Sequence, residues 1–242
     1  MKTLGIIGGL GPETTAEFYL ELVFGTYKKN KEARPPILIW NIPLRYQIEE
    51  DLLTRASGEE RYIPYLVEAA QKLEAGGAEL LVIPCNSVHM FIDEVRRATK
   101  VPVLSIVEEA AILLKSQGVN RVGILSTQTT LNGKLYETAL TRAGIEQVTP
   151  DEFDQAVLGK VIERIVLNKH TDADRKQLLR IIDKFAENGI KNVLLACTDL
   201  QLLKPQHEKL KIYDTMKILS ESAVSHILRD SLLVDSKRKR IA

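Results

Sequence analysis

Lys72-Leu73-Glu74-Ala75-Gly76-Gly77-Ala78-Glu79-Leu80-Leu81-Val82-Ile83-Pro84-Cys85-Asn86-Ser87 has a counterpart later in the chain. It is Lys184-Phe185-Ala186-Glu187-Asn188-Gly189-Ile190-Lys191-Asn192-Val193-Leu194-Leu195-Ala196-Cys197-Thr198-Asp199. The offset is constant: Cys197 follows Cys85 by 197 − 85 = 112 positions, as Gly189 follows Gly77. Each copy reads as a helix end, a glycine C-cap, a buried strand and a cysteine at the strand's carboxyl end. A looser pairing sets Leu4-Gly5-Ile6-Ile7-Gly8 against Val122-Gly123-Ile124-Leu125-Ser126, each followed by a small-residue loop and a helix. A third sets Val103-Leu104-Ser105 against Ile212-Tyr213-Asp214, each leading into an apolar helix. The chain therefore reads as an internal duplication.

Working outward, short runs rich in Ile, Val and Leu predict strands at 3–7, 36–41, 79–84, 101–104, 121–126, 145–148, 192–196 and 211–213. Amphipathic segments predict helices at 13–27, 59–75, 87–98, 106–117, 132–143, 151–168, 173–188 and 215–230. In the last, Met216, Leu219, Ala223 and Ile227 recur at helical spacing, with Asp214 or Thr215 as cap. This alternation predicts an α/β fold of two pseudo-symmetric lobes, each a parallel sheet flanked by helices. The helix near 106–117 would cross into the second lobe and that near 215–230 return to the first. The lobes are then 1–103 plus 214–242, and 104–213. Open α/β sheets bind ligands at the carboxyl ends of their strands, so the expected active site is the cleft between the lobes. A pseudo-twofold axis through that cleft would put one cysteine on each side of a bound molecule.

Composition narrows the function. The 242 residues carry 33 Lys+Arg and 32 Asp+Glu, a net charge of +1, which argues against a general electrostatic role on nucleic acid or an anionic membrane. Hydrophobic residues at 45% and charged residues at 27% are the balance of a globular chain. No apolar run approaches the roughly 18 residues of a membrane span. Met1–Gly9 reads as a strand entering a glycine loop rather than a signal peptide, so a cytoplasmic location is expected. The basic run Ser236-Lys237-Arg238-Lys239-Arg240 reads as a solvated terminus. Two cysteines cannot make a disulfide framework, and no Cys/His spacing suggests a metal; His170, His207 and His226 are scattered.

Cys85 and Cys197 instead occupy equivalent positions of a repeat, each followed by hydrogen-bonding residues. Both sit where a strand turns into a helix, whose N-terminus would favour a thiolate. Two thiols facing one carbon suit a proton exchange: one removes a proton from one face and the other delivers one to the opposite face. Asn86, Ser87 and Thr198 are natural donors to the enolate that forms between these events. His89, four residues past Cys85, could tune the thiol or support it; the second copy has no matching histidine. The loop Gly5-Ile6-Ile7-Gly8-Gly9-Leu10-Gly11 lacks the order of a dinucleotide or P-loop fingerprint, and no lysine is singled out for a Schiff base. No cofactor is needed if those donors and the thiol pKa values suffice.

Gly8-Gly9-Leu10-Gly11-Pro12, Pro84-Cys85-Asn86-Ser87-Val88-His89 and Ala196-Cys197-Thr198-Asp199-Leu200 resemble the three signatures of the aspartate/glutamate racemase superfamily, most closely its aspartate racemase branch. The resemblance runs in order over nearly the whole chain. It implies a cofactor-independent two-base racemase of an acidic amino acid, aspartate and/or glutamate, usually a homodimer. It assigns the two bases to Cys85 and Cys197, and the substrate's α-carboxylate to Asn86, Ser87 and Thr198. Thr127 and Thr130 match the second lobe's substrate loop, and Gly9 and Gly11 the first lobe's. Ser87 replaces the usual threonine and keeps the hydroxyl. An Asp-Arg pair that some members carry after the second strand is missing from Asn41-Ile42-Pro43-Leu44-Arg45-Tyr46, leaving Arg45 as the nearest cation for a distal carboxylate. Relatives on this scaffold isomerise maleate, racemise hydantoins or decarboxylate malonates, and a non-catalytic amino-acid-binding protein is a further alternative.

Overall fold

The computed structural model describes residues 1–48, 51 and 58–238, the last helix by its backbone alone beyond Leu228. Lys239 and Arg240 of the basic tail lie outside the described residues. The first half runs β1 (Leu4–Gly8), α1 (Pro12–Lys29), β2 (Ile37–Asn41), a 3-10 turn (Glu59–Tyr62), α2 (Ile63–Ala75), β3 (Leu80–Val82), a second 3-10 turn (Ser87–Phe91), α3 (Ile92–Ala98) and β4 (Val103–Leu104). After α4 (Ile106–Ser116), the second half runs β5 (Arg121–Leu125), α5 (Gln128–Asn132), α6 (Leu135–Ala143), β6 (Glu146–Val148), α7 (Glu152–Val166), α8 (Asp172–Glu187), β7 (Asn192–Leu195), a 3-10 turn (Thr198–Leu203), β8 (Lys211–Asp214) and α9 (Thr215–Arg238).

The duplication is visible in the topology. One sheet has the order β2-β1-β3-β4 and the other β6-β5-β7-β8, and every pairing is parallel. Strands of parallel sheets are covered on both faces, which is why β1 and β3 are buried throughout. The largest hydrophobic core joins the two sheets. Phe18 and Leu22 of α1, Ile106 and Leu114 of α4, Leu140 of α6, and Met216 and Ile227 of α9 are all fully buried in it. Within it α4 packs on α6 and on α9, and α9 packs on α1. All four apolar positions read from the sequence of α9, namely Met216, Leu219, Ala223 and Ile227, have no exposed surface. Burying a large apolar side chain contributes about 1.5–3 kcal/mol, so α9 alone welds the two halves firmly. Two smaller cores lie beneath the outer helices of each sheet.

Three helical expectations change in detail. The helix expected at 132–143 is two, α5 and α6, broken at Gly133-Lys134 where Lys134 has φ 51°. Thr127 explains the earlier start, because its hydroxyl accepts the Thr130 N–H at 3.2 Å and caps α5. The helices expected at 59–75 and 87–98 both begin as 3-10 turns. Among the described residues no helix is long and apolar enough to cross a membrane.

Candidate active site

In parallel sheets the loops at the carboxyl ends of the strands gather on one side. Here the loops after β1, β3, β5 and β7 meet, and a cavity of about 120 Å³ lies among them. Cys85 and Cys197 both line it. Neither is in a disulfide; Cys85 is half-buried and Cys197 buried. The repeat thus brings its two cysteines to one space.

The loops are pinned by their own side chains. Thr15 accepts the Gly9 N–H at 3.0 Å and donates to the Gly11 carbonyl at 2.9 Å. Gln155 donates to the Ser126 carbonyl at 3.0 Å. The two halves then bond each other in a crossed pattern. Two residues past Cys85, the Ser87 hydroxyl bonds Thr127 at 3.0 Å and Thr130 at 3.2 Å on the loop after β5. Two residues past Cys197, Asp199 accepts from the Thr14 hydroxyl at 2.8 Å, at the start of the helix after β1. Ser87 and Asp199 are therefore pseudo-symmetric partners in space as well as in sequence.

Behind Cys85 the structure is tightly satisfied. Asn86 donates to the Thr215 hydroxyl at 3.1 Å and accepts from the buried Tyr136 hydroxyl. The Thr215 hydroxyl in turn donates a hydrogen bond to the Leu195 carbonyl at 2.8 Å. His89 is 3% exposed and lies between the Cys85 carbonyl (Nδ1, 2.7 Å) and the Ile106 N–H (Nε2, 3.1 Å). That pattern requires a neutral ring with the proton on Nδ1, and burial holds its pKa down at about 4. His89 thus supports the Cys85 loop. Its counterpart 112 positions on is Gln201, whose side-chain amide faces Asp214. The second half thus carries an amide where the first carries a ring.

The electrostatics correct one expectation. A helix N-terminus should favour the thiolate, yet the Cys197 pKa is raised well above the ordinary thiol value. Burial is the main cause; the Asp199 charge and the nearby Cys85 sulfur add to it. The element that follows is a six-residue 3-10 turn, too short for its dipole to offset these. The Cys197 thiol donates to Asp199 Oδ2 at 3.5 Å, and Asp199, itself raised by burial, is placed to take that proton.

Of the residues singled out in the sequence, Gly11, Asn86, Ser87, Thr127 and Thr198 line the cavity with the two cysteines. Thr130 stands one bond behind, through Ser87 and Thr127. Gly9 is not on the wall: its φ of 86° and an Asn41 oxygen 2.9 Å from where a Cβ would sit account for the glycine. Arg45 is exposed and is not among the residues lining the cavity. Asp199 has no role that its motif announces; its offset of 112 from Ser87 is the signal in the sequence. Tyr136, Thr14 and the inner stripe of α7 are marked by no motif.

The chain is similar to known proteins along most of its length. The Bacillus subtilis broad specificity amino-acid racemase RacX is 28% identical over 238 residues, covering 93% of this chain and 98% of that one. A glutamate racemase of Persephonella marina is 28% identical over a shorter span, 68% of this chain and 62% of that one. Among solved structures, an aspartate racemase homologue from Pyrococcus horikoshii is 29% identical with a TM-score of 0.76, covering 94% and 99% of the two chains. The glutamate racemase of Francisella tularensis, at 15% identity and a TM-score of 0.64, covers 96% of this chain and 82% of its own and shares the fold. The Asp/Glu/Hydantoin racemase family model matches residues 7–223, spanning both cysteine loops, and the chain belongs to that family.

Proposed function

We propose that the protein racemises an amino acid by moving a proton between Cys85 and Cys197, with no cofactor. The observation that carries this is the convergence of two repeat-equivalent cysteines on one cavity, one of them hydrogen-bonded to a carboxylate. As a thiolate, Cys85 removes the α-proton from one face while the Cys197 thiol donates its proton to the other. In the reverse direction the Cys197 thiolate left by that donation abstracts the α-proton from its own face, and the Cys85 thiol donates to the other. The Ser87, Thr127 and Thr198 hydroxyls, all on the cavity wall, hold the α-carboxylate and stabilise the charge that develops on it as the α-proton leaves. The family resemblance further implies a homodimer, which sedimentation equilibrium would check.

The test is Cys85→Ala and Cys197→Ala, each made alone and followed by chiral chromatography on a panel of L- and D-amino acids. Each variant should lose racemisation by at least about a thousandfold, a loss of the size expected for removing an essential proton carrier. Racemisation at the unmutated rate by either single variant would rule out the two-thiol mechanism.

A further inference from the structure

Helix α7 turns Gly159, Ile162 and Val166 to the cavity, at a spacing of three and then four residues that forms one stripe. From the first half, Leu10, Tyr62 and Val88 close the same space. Leu10, Tyr62, Val88 and Ile162 are each less than a tenth exposed, so these lining side chains are packed into the protein and mostly apolar. Ion pairs from α8 hold α7 in place: Arg180 meets the buried Asp154 at 3.0 Å, and Arg164 bonds the buried Asp174 through Nε at 2.6 Å.

Gly159 stands out on this stripe. It lies in the interior of a fifteen-residue helix, where glycine is the poorest choice after proline. Its φ is not positive, and a Cβ built on it would meet nothing within 4 Å. Neither backbone conformation nor a neighbouring atom requires glycine there. What the missing side chain preserves is open space beside Ile162.

Charge points the same way. Among the described residues lining the cavity the only charged side chain is Asp199, and no Lys, Arg or His is present. A second carboxylate set against the apolar lining residues Leu10, Val88, Ile162 and Val166 would find no hydrogen-bond donor in their side chains.

We infer that the α7 stripe and the three residues facing it form a subsite for a neutral, aliphatic substrate side chain, with Gly159 setting the length accepted. The inference rests on the racemase reading for its substrate. It departs from the acidic side chain that the sequence resemblance implied, because no cation lines the cavity among the described residues.

The experiment follows α-deuterium uptake in heavy water by NMR for L-alanine, L-norvaline and L-glutamate, which carries a carboxylate where norvaline carries a methyl. Norvaline should exchange at least about tenfold faster than glutamate, the discrimination expected when a charge must enter an apolar pocket unpaired. Gly159→Leu should shift the norvaline-to-alanine ratio at least about tenfold toward alanine. Gly159→Ala should raise Tm by roughly 2–4 °C, as expected if the glycine serves the cavity and not the helix. Faster exchange of glutamate, or a chain-length preference unmoved by Gly159→Leu, would overturn the subsite. If no amino acid exchanges, saturation-transfer NMR of norvaline separates the two readings. Binding that Gly159→Leu abolishes removes the racemase reading and keeps the subsite, whereas no binding removes the subsite too.

Discussion

Replacing Asp214 with asparagine should make the fold more stable at neutral pH and flatten its dependence on pH. Asp214 ends β8 and caps α9, accepting the Met216 N–H at 2.9 Å. Burial is the main reason its pKa rises from 3.8 to about 7; Glu21 on α1 adds to the rise, while the cap hydrogen bonds and Lys217 oppose it. The native state therefore holds a proton on this carboxyl between pH 4 and 7 that the unfolded chain has lost. Its contribution is fully present below pH 4 and disappears as pH rises through 7. At about 1.36 kcal/mol per pH unit the interval sets a ceiling of about 4 kcal/mol. Because the carboxyl keeps a partly exposed edge, about 3 kcal/mol is the working figure. Asparagine keeps the capping oxygen and never ionises. For a chain of this size the Tm difference between Asp214→Asn and the unmutated protein should widen by roughly 6–12 °C from pH 4 to pH 8. Differential scanning calorimetry at both pH values measures it. Taking the difference removes His89, whose lowered pKa makes both proteins lose stability as pH falls from 6.5 toward 4. A Tm difference that does not change with pH would refute the ionisation argument.

Tyr136→Phe leaves the buried Asn86 oxygen without its donor and should cost about 1–3 kcal/mol in urea unfolding. Full stability would mean that the hydroxyl does not hold Asn86. His89→Gln should fold and keep the pH–rate profile, since a ring neutral down to about pH 4 shuttles no proton. A displaced profile would give the ring a catalytic part. Asp199→Asn removes the acceptor of the Cys197 proton and should lower racemisation by about 10²–10⁴. It should also move the pH midpoint of Cys197 alkylation downward, because the Asp199 charge no longer opposes the thiolate; an unmoved midpoint would detach Asp199 from the thiol.

Strand positions were readable because a buried parallel strand is nearly all Ile, Val and Leu, and β3 and β7 came out within two residues of the runs that announced them. The repeat then specified more than local structure, since equal halves of equal strand order must bring equivalent loops together. What was not readable depends on three-dimensional neighbours. Burial and a carboxylate reversed the direction expected for the Cys197 thiol, and no sequence pattern reports burial at a loop. The α7 stripe was hidden because Gly159 looks like a weak point of a helix until the cavity beside it is seen. Nearness in sequence to a motif does not report exposure, and Arg45 lies at the surface.

The duplication preserved geometry while letting the chemistry of the two halves diverge. Each cysteine is followed two positions later by a residue that bonds a threonine of the opposite half, but one is a neutral serine and the other a buried carboxyl. His89 and Gln201 differ in the same way, the first bracing a loop and the second facing Asp214. The two thiols are thus chemically unequal, even though a racemase has an equilibrium constant of one in achiral water. Thermodynamics then requires equal kcat/KM for the two enantiomers, whatever the thiol environments. Inequality can appear only as compensating differences in kcat and KM, through the protonation state in which each thiol waits. Exchanging the pair, Ser87→Asp with Asp199→Ser, moves the carboxylate to the Cys85 side. It should reverse which enantiomer has the larger kcat while their kcat/KM values stay equal. Full activity with the original order retained would show that the carboxylate does not govern the thiols, and the asymmetry would then have to come from the apolar walls.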